Sequence, residues 1–353
     1  MRELATIKKI KGIKPIENAD RIEVALVGGW EVVVKKDMNY SSGDKVVYCE
    51  IDSFLPIEPE FEFLRDSCYK EMADGSKGFR LRTIRLRGQI SQGLIISIKD
   101  AKNITQRRGT FDDVNWEVGE NVTDALGIKK YERPIPPQLS GKMKGGFPSF
   151  IVKTDAKRLQ NLTDDFSYFN DEPFWEETEK IDGTSFTAYL KDGKIGVCSR
   201  NIDLVENDEN TLWKVARELE LEKKLDSIYK RENFDIAIQG ELIGPKIQGN
   251  KYKLKNHTLR VFNSFNIQKF KHFRPYITRY LCQSVLDVEY VPLIEQRRVL
   301  NIESMNDIKK LIQDADGKSK LNSDTLREGL VFQSQNGQKK FKAISNKFLN
   351  KYD

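Results

Sequence analysis

Pro134, Pro136 and Pro137, followed by Gly141, Gly145 and Gly146, cut the 353-residue chain into two stretches whose hydropathy patterns differ. Proline lacks a backbone donor and fixes its own φ, while glycine weakens any regular element, so the cluster predicts a linker. Each side of it holds enough residues to bury a core of its own. The pattern predicts an α+β protein: a small β-barrel over residues 1–130, a linker over 131–150 and a mixed α/β domain over 151–353.

Short strand signals separated by turns fill residues 1–130. Arg21 to Leu26 and Trp30 to Lys35 flank Gly28-Gly29 as the arms of a hairpin, and Lys45 to Ile51 and Gly93 to Ile98 also read as strands. Such a series suits a Greek-key barrel without distinguishing one small barrel from another. Arg80 and Arg82 alternate with Phe79 and Leu81, but the parity then reverses, with Ile84 and Leu86 set against Arg85 and Arg87. A bulge or turn near Thr83 would return all four arginines to one face. Four guanidinium groups so placed can grip a phosphate backbone; the competing reading is a solvated face with scattered ion pairs.

Beyond residue 150 helical and strand periods mix. Thr184 to Leu190 and Lys194 to Ser199 read as strands joined by Asp192-Gly193. Leu212, Val215, Ala216, Leu219 and Leu225 recur at helical spacing and predict one amphipathic helix packed on a sheet, with Trp213 in the core or an interface. Ile236 and Ile238 lead a strand into Glu241. Over Leu259 to Ile267, alternation puts Leu259, Val261, Phe265 and Ile267 on an apolar face. Arg260, Phe262, Ser264 and Asn266 fall on a polar one, where a base can stack on Phe262.

Composition narrows the chemistry by exclusion. Only two histidines occur, His257 and His272, so neither a Ser-His-Asp relay nor a histidine-based metal site is expected. The cysteines (Cys49, Cys68, Cys198 and Cys282) are too dispersed for a zinc site or a disulfide framework. The N-terminus lacks the apolar stretch of a signal peptide and no apolar run reaches membrane-spanning length, so a soluble cytoplasmic protein is expected. A net charge of +6, from 59 basic and 53 acidic residues, does not by itself imply nucleic acid.

One short motif offers a nucleophile: Glu179-Lys180-Ile181-Asp182-Gly183. Lys-x-Asp-Gly alone is weak, and it gains meaning from the ordered motifs on its C-terminal side. Ser199-Arg200-Asn201, Gly240-Glu241-Leu242-Ile243-Gly244, the strand around Phe262, Arg327-Glu328-Gly329-Leu330-Val331-Phe332 and Lys340-Phe341-Lys342-Ala343 succeed it. One nucleophile, dispersed carboxylates, an aromatic platform and paired lysines suit nucleotidyl transfer. A lysine of pKa about 10.4 is only about one part in a thousand neutral near pH 7.4, and half-neutrality needs a shift of about three units, or about 4 kcal/mol. Lys340, Lys342 and a divalent cation are the charges expected to lower it.

The series resembles the covalent nucleotidyltransferase superfamily of polynucleotide ligases and capping enzymes. Within it, the chain is most similar to ATP-dependent RNA ligases with an N-terminal OB domain, the Naegleria-type RNA ligases. The likeness extends to Phe79 through Thr83, Arg85 through Gln89, Lys153-Thr154-Asp155 with Arg158 and Asn161, and Phe341 through Asn346. It implies an OB-like RNA-binding domain over 1–130 and an ATP-grasp-like nucleotidyltransferase domain over 151–353. It also implies a three-step reaction in RNA repair. Lys180 takes AMP from ATP, AMP passes to an RNA 5′-phosphate, and an RNA 3′-hydroxyl displaces it, with nicked or duplex RNA as substrate and a monomer as the working form.

By the same resemblance Lys180, Lys342 and Lys340 are catalytic. Glu179, Asp182, Gly183, Arg200, Glu241 and Phe262 join Lys340 and Lys342 around the nucleotide, with Glu179 acting through its backbone. Asp182, Glu241 and Glu328 hold Mg²⁺ or Mn²⁺ through water, a mode suited to an ion that keeps its hydration shell. Arg158 and the arginines Arg80, Arg82, Arg85 and Arg87 contact RNA or phosphate. The family commonly has an aspartate after the aromatic residue; this chain has Asn263, so no metal or charge role carries over to it.

A two-residue turn at Asn336-Gly337 pairs Phe332 with Phe341 and Leu330 with Ala343. By that parity Glu328 points away from Lys340 and Lys342, so a bulge or strong twist near Gly329 is expected, and a regular ladder would argue against Glu328. DNA ligases and capping guanylyltransferases are the competing enzymes. Their relatives usually place an OB domain after the last lysine motif, whereas eleven residues succeed Lys342 here. An OB-fold RNA-binding protein with a non-catalytic second domain is the reading of another class, and the presence of every charged motif opposes it.

Overall fold

The computed structural model describes residues 3–72, 74–132 and 141–352; Pro134, Pro136 and Pro137 lie outside the described residues. The chain divides into two compact units, residues 1–134 with 350–353, and residues 135–349.

In the first unit, β1 (Ala5–Pro15) passes its pairing from one neighbour to another. Its second half meets β2 (Ile22–Val27), which turns through Gly28-Gly29 into β3 (Trp30–Lys35), and its first half meets β4 (Lys45–Cys49). A bulge between Ile10 and Gly12 bends the strand at the hand-over. β5 (Ser53–Leu55), β6 (Tyr69–Glu71) and β7 (Lys77–Arg80) belong to a second sheet, β8 (Ile84–Leu86) and β9 (Gln89–Ser91) form a separate hairpin, and β10 (Leu94–Ser97) lies beside β4. β11 (Lys129–Lys130) closes the second sheet against β5. Just ahead of β10, the Gln92 N–H donates to the Glu31 carbonyl of β3 at 2.9 Å. The two edges of the main sheet thus approach as it curls into an OB-like half-barrel.

Residue parity explains this layering. Val46 and Tyr48 point inward to Ile10 and Trp30, while Val47 and Cys49 point outward to Phe79 and Ile104. The outer layer includes a helix, Ile98–Arg108, starting where the hydropathy pattern gives only a strand end. Ser97 caps it by accepting from the Asp100 N–H at 3.0 Å.

The four arginines do not share a strand face. Arg80 ends β7, with its guanidinium 3.5 Å from Asp52 and 4.6 Å above the Tyr131 ring. Leu81 and Thr83 are buried, and the chain turns there into the β8–β9 hairpin, where Arg85 and Arg87 are exposed with Ile84 and Leu86. The expected turn exists, but it moves the chain into another sheet instead of restoring one face.

The second unit opens with β12 (Met143–Gly146), β13 (Lys157–Arg158), β14 (Trp175–Lys180) and β15 (Thr184–Lys191). β16 (Lys194–Cys198), β17 (Ile202–Leu204), β18 (Ile236–Ile243) and β19 (Thr258–Asn266) come next. β20 (Lys271–His272), β21 (Glu289–Tyr290), β22 (Leu293–Arg298), β23 (Gly329–Ser334) and β24 (Lys340–Ile344) complete it. The larger sheet runs β12-β17-β16-β15-β18-β19-β20, with β21 also on β19; the smaller runs β13-β24-β23-β14-β22.

Helices bury the back of each sheet. Leu212, Val215, Leu225 and Ile228 pack against Phe186, Ile238 and Leu242, and the indole N–H of buried Trp213 reaches the Leu204 carbonyl at 3.4 Å. These apolar residues lie on two helices, Thr211–Glu218 and Leu221–Glu232, because Glu220 adopts φ 51° and breaks the run expected to be one. Behind the smaller sheet, Ile308, Leu311 and Ile312 of the helix Met305–Ala315 cover Trp175, Phe332 and Phe341. The front faces approach each other where Lys340 of β24 reaches Phe262 and Asn263 of β19, and they bound a cleft there. All four cysteines are free. Among the described residues no helix is long and apolar enough to cross a membrane.

Candidate active site

Strand parity lines up the lysines. Glu176, Thr178 and Lys180 alternate with Trp175, Glu177 and Glu179, so the first three face the cleft while Trp175 anchors the core behind. Thr178 lies across from Val331, and Val331 from Lys342; Glu176 lies across from Gln333, and Gln333 from Lys340. Lys180, Lys340 and Lys342 therefore share one sheet face. Phe341, between the last two, stacks on Phe332 with ring centroids 4.7 Å apart.

The Lys180 amine lies 2.7 Å from the Glu328 carboxylate. This contact forms without the expected bulge. The β23–β24 ladder keeps one register from Gln333 to Gly329, and the Ser345 N–H continues it to the Glu328 carbonyl at 2.9 Å. Glu328 precedes β23, so the pleat does not dictate its direction, and Gly329 beside it offers no side chain to block the reach. A Cβ on Gly329 would come within 2.2 Å of the Ala343 carbonyl. The regular ladder thus does not remove Glu328 from the cleft.

Just past Lys180 the chain crosses to the larger sheet. Gly183 passes so near β18 that a Cβ would meet the Leu242 carbonyl at 2.5 Å. Asp182 is held from two sides: its backbone N–H donates to the Tyr252 hydroxyl at 2.8 Å, and its carboxylate pairs with Lys251 at 2.5 Å. Neither Lys251 nor Tyr252 belongs to a motif found in the sequence; the lysine-rich run that includes Lys253 and Lys255 was the only local signal. Glu241 stands opposite Ser185 on the cleft side of β18.

Burial favours the neutral form of Lys180, but Glu328, Glu241 and Asp182 outweigh it and hold its pKa above the ordinary lysine value. This reverses the expected direction, because the carboxylates act on Lys180 more strongly than the other lysines do. Burial, with repulsion from Glu328 and Asp182, pushes Glu241 up to about 7 against the pull of Lys180.

The other end of the cleft is different. The Lys340 amine lies 4.7 Å from the Phe262 ring centroid and 3.3 Å from the Asn263 side-chain oxygen. Burial, reinforced by Lys180, lowers its pKa to about 8, although Glu176 acts in the opposite sense. Burial and Lys340 together lower His272 to about 4, leaving it neutral at physiological pH. Glu176 itself is buried, accepting from the Tyr290 hydroxyl at 2.6 Å and pairing with Arg279 at 2.7 Å.

The face assignment of β19 needs correction. Gln239 pairs with Asn263 but Gly240 pairs with Val261, so Phe262 sits in a bulge. Parity therefore shifts: Leu259 and Val261 enter the core behind the sheet, whereas Phe265 and Ile267 join Tyr189 and Ala237 on the other side. Phe262 packs beside Ile181, Ile243, Tyr252 and Val291, within reach of Lys340.

Glu179 points away from the lysines, its buried carboxylate accepting from the Lys320 N–H at 2.7 Å. Arg158 is buried and lies in register with Lys342 across the β13–β24 pair. Arg200 pairs with Asp155 at 2.9 Å. Among the described residues no three His, Cys, Asp or Glu side chains converge to ligate a metal directly. Asp182, Glu241 and Glu328 nevertheless interact electrostatically strongly enough to shift Glu241, and such an all-oxygen donor set suits a hard cation held through water.

A buried lysine held against a cluster of acids, with an aromatic face beside further lysines, is an arrangement suited to nucleotidyl transfer. Residues 173–352, just over half of the chain, match the family described as RNA ligase, and residues 4–98 match one described as an OB-fold domain. Among solved structures, the chain is similar to a mutant of Naegleria gruberi RNA ligase with AMP and Mn. Identity is 38%, coverage is 99% of this chain and 98% of that one, and the TM-score is 0.86. The values are the same for Naegleria gruberi RNA ligase with PPi. A mutant of that ligase with ATP and Mn matches at 38% identity, 98% coverage of each chain and a TM-score of 0.84. A search of curated proteins finds no match. The chain belongs to the RNA ligase family: it is an RNA ligase with an N-terminal OB-like domain, and RNA is its substrate class.

Proposed function

We propose that the protein joins an RNA 3′-hydroxyl to a 5′-phosphate at the expense of ATP, through lysyl-AMP and RNA-adenylate intermediates. The observation that carries this reading is Lys180 on one sheet face with Lys340 and Lys342, its amine 2.7 Å from Glu328. The neutral Lys180 amine attacks the α-phosphorus of ATP. A nitrogen–phosphorus bond forms, the bond to pyrophosphate breaks, and the amine loses a proton. The RNA 5′-phosphate then takes AMP from Lys180, which regains a proton, and the 3′-hydroxyl displaces AMP to form the phosphodiester.

In this reading Lys340 and Lys342 hold the phosphates, with Arg200 and Arg158 assisting. Phe262 stacks on the adenine, Glu241 accepts from a ribose hydroxyl, and the Glu179 backbone and Gly183 shape the pocket. Asp182, Glu241 and Glu328 would hold Mg²⁺ or Mn²⁺ through its waters, and the ion would supply charge neutralisation at the triphosphate. Because Glu328, Glu241 and Asp182 favour protonated Lys180, they must be engaged elsewhere when it attacks.

The finer proposal is a cytoplasmic monomer that repairs nicked duplex RNA, with residues 1–130 binding RNA and 151–353 adenylated. Incubation with radiolabelled ATP, GTP or NAD and magnesium or manganese, then denaturing electrophoresis, tests the chemistry. Covalent label from ATP alone is expected; label from GTP alone would make the protein a capping-type enzyme, and no label would sink the lysyl-AMP step. Deleting residues 1–130 is expected to spare labelling more than the sealing of a nicked duplex.

A further inference from the structure

Leu242 to Leu286 contains no acidic residue. These 45 residues carry nine lysines and arginines and both histidines, whereas the chain average of 53 acids in 353 residues would place about seven acids there. So one-sided a stretch favours a polyanion wherever its cations reach the surface.

Several of them surface together with aromatic side chains. Lys269, Phe270, Lys271, Arg274, Tyr276 and Tyr280 are all exposed. Phe270, Tyr276 and Tyr280, at 55%, 48% and 58% exposure, are the only exposed aromatics among the described residues of the second unit. Lys269, Lys271 and Arg274 have no carboxylate partner among the described residues, whereas Arg260 and Arg279 of the same stretch pair with Glu289 and Glu176.

The helix Pro275–Leu281 fixes the direction of the tyrosines. Thr278 bonds Ser264 at 2.8 Å, and Leu281 is buried, so Tyr276 and Tyr280, one turn apart, face outward. Ser264 comes directly after Asn263, the residue Lys340 touches in the cleft, and its carbonyl accepts from the Phe273 N–H at 3.0 Å. Ser264 and Thr278 meet on the face of β19 turned away from Asn263, and the helix approaches the cleft through Arg279, which pairs with Glu176 at 2.7 Å. A pair of exposed aromatics one helical turn apart marks an interaction site, and aromatics among cations suit unstacked bases joined by phosphates.

We propose that this surface binds a single-stranded stretch of the RNA substrate outside the cleft, with Lys269, Lys271 and Arg274 on its phosphates and Tyr276 and Tyr280 stacked on unpaired bases. It rests on RNA as the substrate class and names a binding surface outside the OB-like unit and outside the nucleotide site. The full-length protein tests it through anisotropy of fluorescent single-stranded RNA at several salt concentrations, with ATP labelling of Lys180 measured in parallel.

Tyr276→Ala with Tyr280→Ala is expected to weaken RNA binding about tenfold or more, and Tyr276→Phe with Tyr280→Phe to restore it. Lys269→Gln, Lys271→Gln and Arg274→Gln together are expected to flatten the slope of log affinity against log salt by about two, since each phosphate contact on a single strand contributes about 0.7. ATP labelling should stay at wild type in all three variants. Unchanged RNA affinity and salt slope would overturn the proposal, as would variants that alter only self-association in sedimentation. Failure of ATP labelling in the wild-type protein would instead remove the lysyl-AMP reading and leave the RNA measurement standing.

Discussion

At one end of the cleft Lys180 meets Glu328, Glu241 and Asp182; at the other Lys340 meets the Phe262 ring and the Asn263 amide. Both amines project from one face of one sheet, and burial acts on both in the same direction. Yet Lys180 is held above the ordinary lysine range while Lys340 falls to about 8. The difference teaches that burial alone does not set a lysine's charge here. Carboxylates decide it, and they surround the lysine proposed to attack, not the one proposed to bind phosphate.

Lys180→Ala should have the largest effect and break the comparison outright. Covalent labelling by ATP is expected to vanish, while joining of RNA that already carries a 5′-adenylate persists, because that step needs no lysine nucleophile. Full labelling of the alanine variant would place the nucleophile elsewhere. Lys342→Ala should lower adenylation about a hundredfold or more, the scale of losing one preorganised charge-stabilising group, while the protein stays folded. Lys340→Ala should cost less. Single-turnover labelling with circular dichroism as a folding control measures both; wild-type labelling by folded Lys342→Ala would reverse the ranking.

Much of the framework was legible in the sequence because turn chemistry and parity are local. Gly28-Gly29 and Asp192-Gly193 sit between strands as predicted, with Asp192 at φ 50° and Gly193 at φ 70°. The predicted Phe332–Phe341 register holds, but through a wider loop than a two-residue turn: the Gly337 N–H returns to the Ser334 carbonyl at 2.8 Å and the Ser334 N–H reaches the Lys339 carbonyl at 3.0 Å. Parity failed where one residue left the regular backbone. Glu220 splits a helix from the left-handed region without being glycine, and Phe262 bulges out of a strand whose alternation looks unbroken. Lys251 and Tyr252 reach Asp182 from about 70 positions away, a contact no local pattern encodes. The direction of the Lys180 shift was hidden for a related reason. The residues nearest in motif space, Lys340 and Lys342, are not the ones whose charges dominate.

The carboxylate end can be sharpened through stability. Glu241 is raised from 4.5 to about 7 in the folded chain, so between those values the folded state binds more protons than the unfolded one, and stability falls as pH rises. Well above pH 7 the full cost is present, about 3.5 kcal/mol at most at about 1.4 kcal/mol per pH unit. Glu241→Gln should therefore stabilise the ligand-free protein by about 1–3 kcal/mol at pH 8 and lose that advantage below pH 4.5. Urea unfolding at pH 8 and pH 4 measures it, and a destabilised variant at pH 8 would show that Glu241 is not strained by its acidic neighbours.

The smallest expected effect comes from making the two ends alike. Asn263 places a neutral oxygen 3.3 Å from the Lys340 amine, so Asn263→Asp would put a carboxylate where the amide now stands. An opposite charge at that distance commonly shifts a pKa by about one to three units, and for a lysine the direction is upward. In the wild type, binding of α,β-methylene ATP should weaken as pH passes about 8, because Lys340 loses the charge proposed to hold phosphate. In Asn263→Asp that weakening should begin about one pH unit higher, even though the added negative charge lowers affinity at every pH. Titration calorimetry from pH 7 to 10 separates the two consequences, since repulsion changes the height of the curve and the lysine shift changes its midpoint. An unmoved midpoint would mean that Lys340 does not govern the alkaline loss. The contrast between the two lysines would then be a feature of the ligand-free cleft alone.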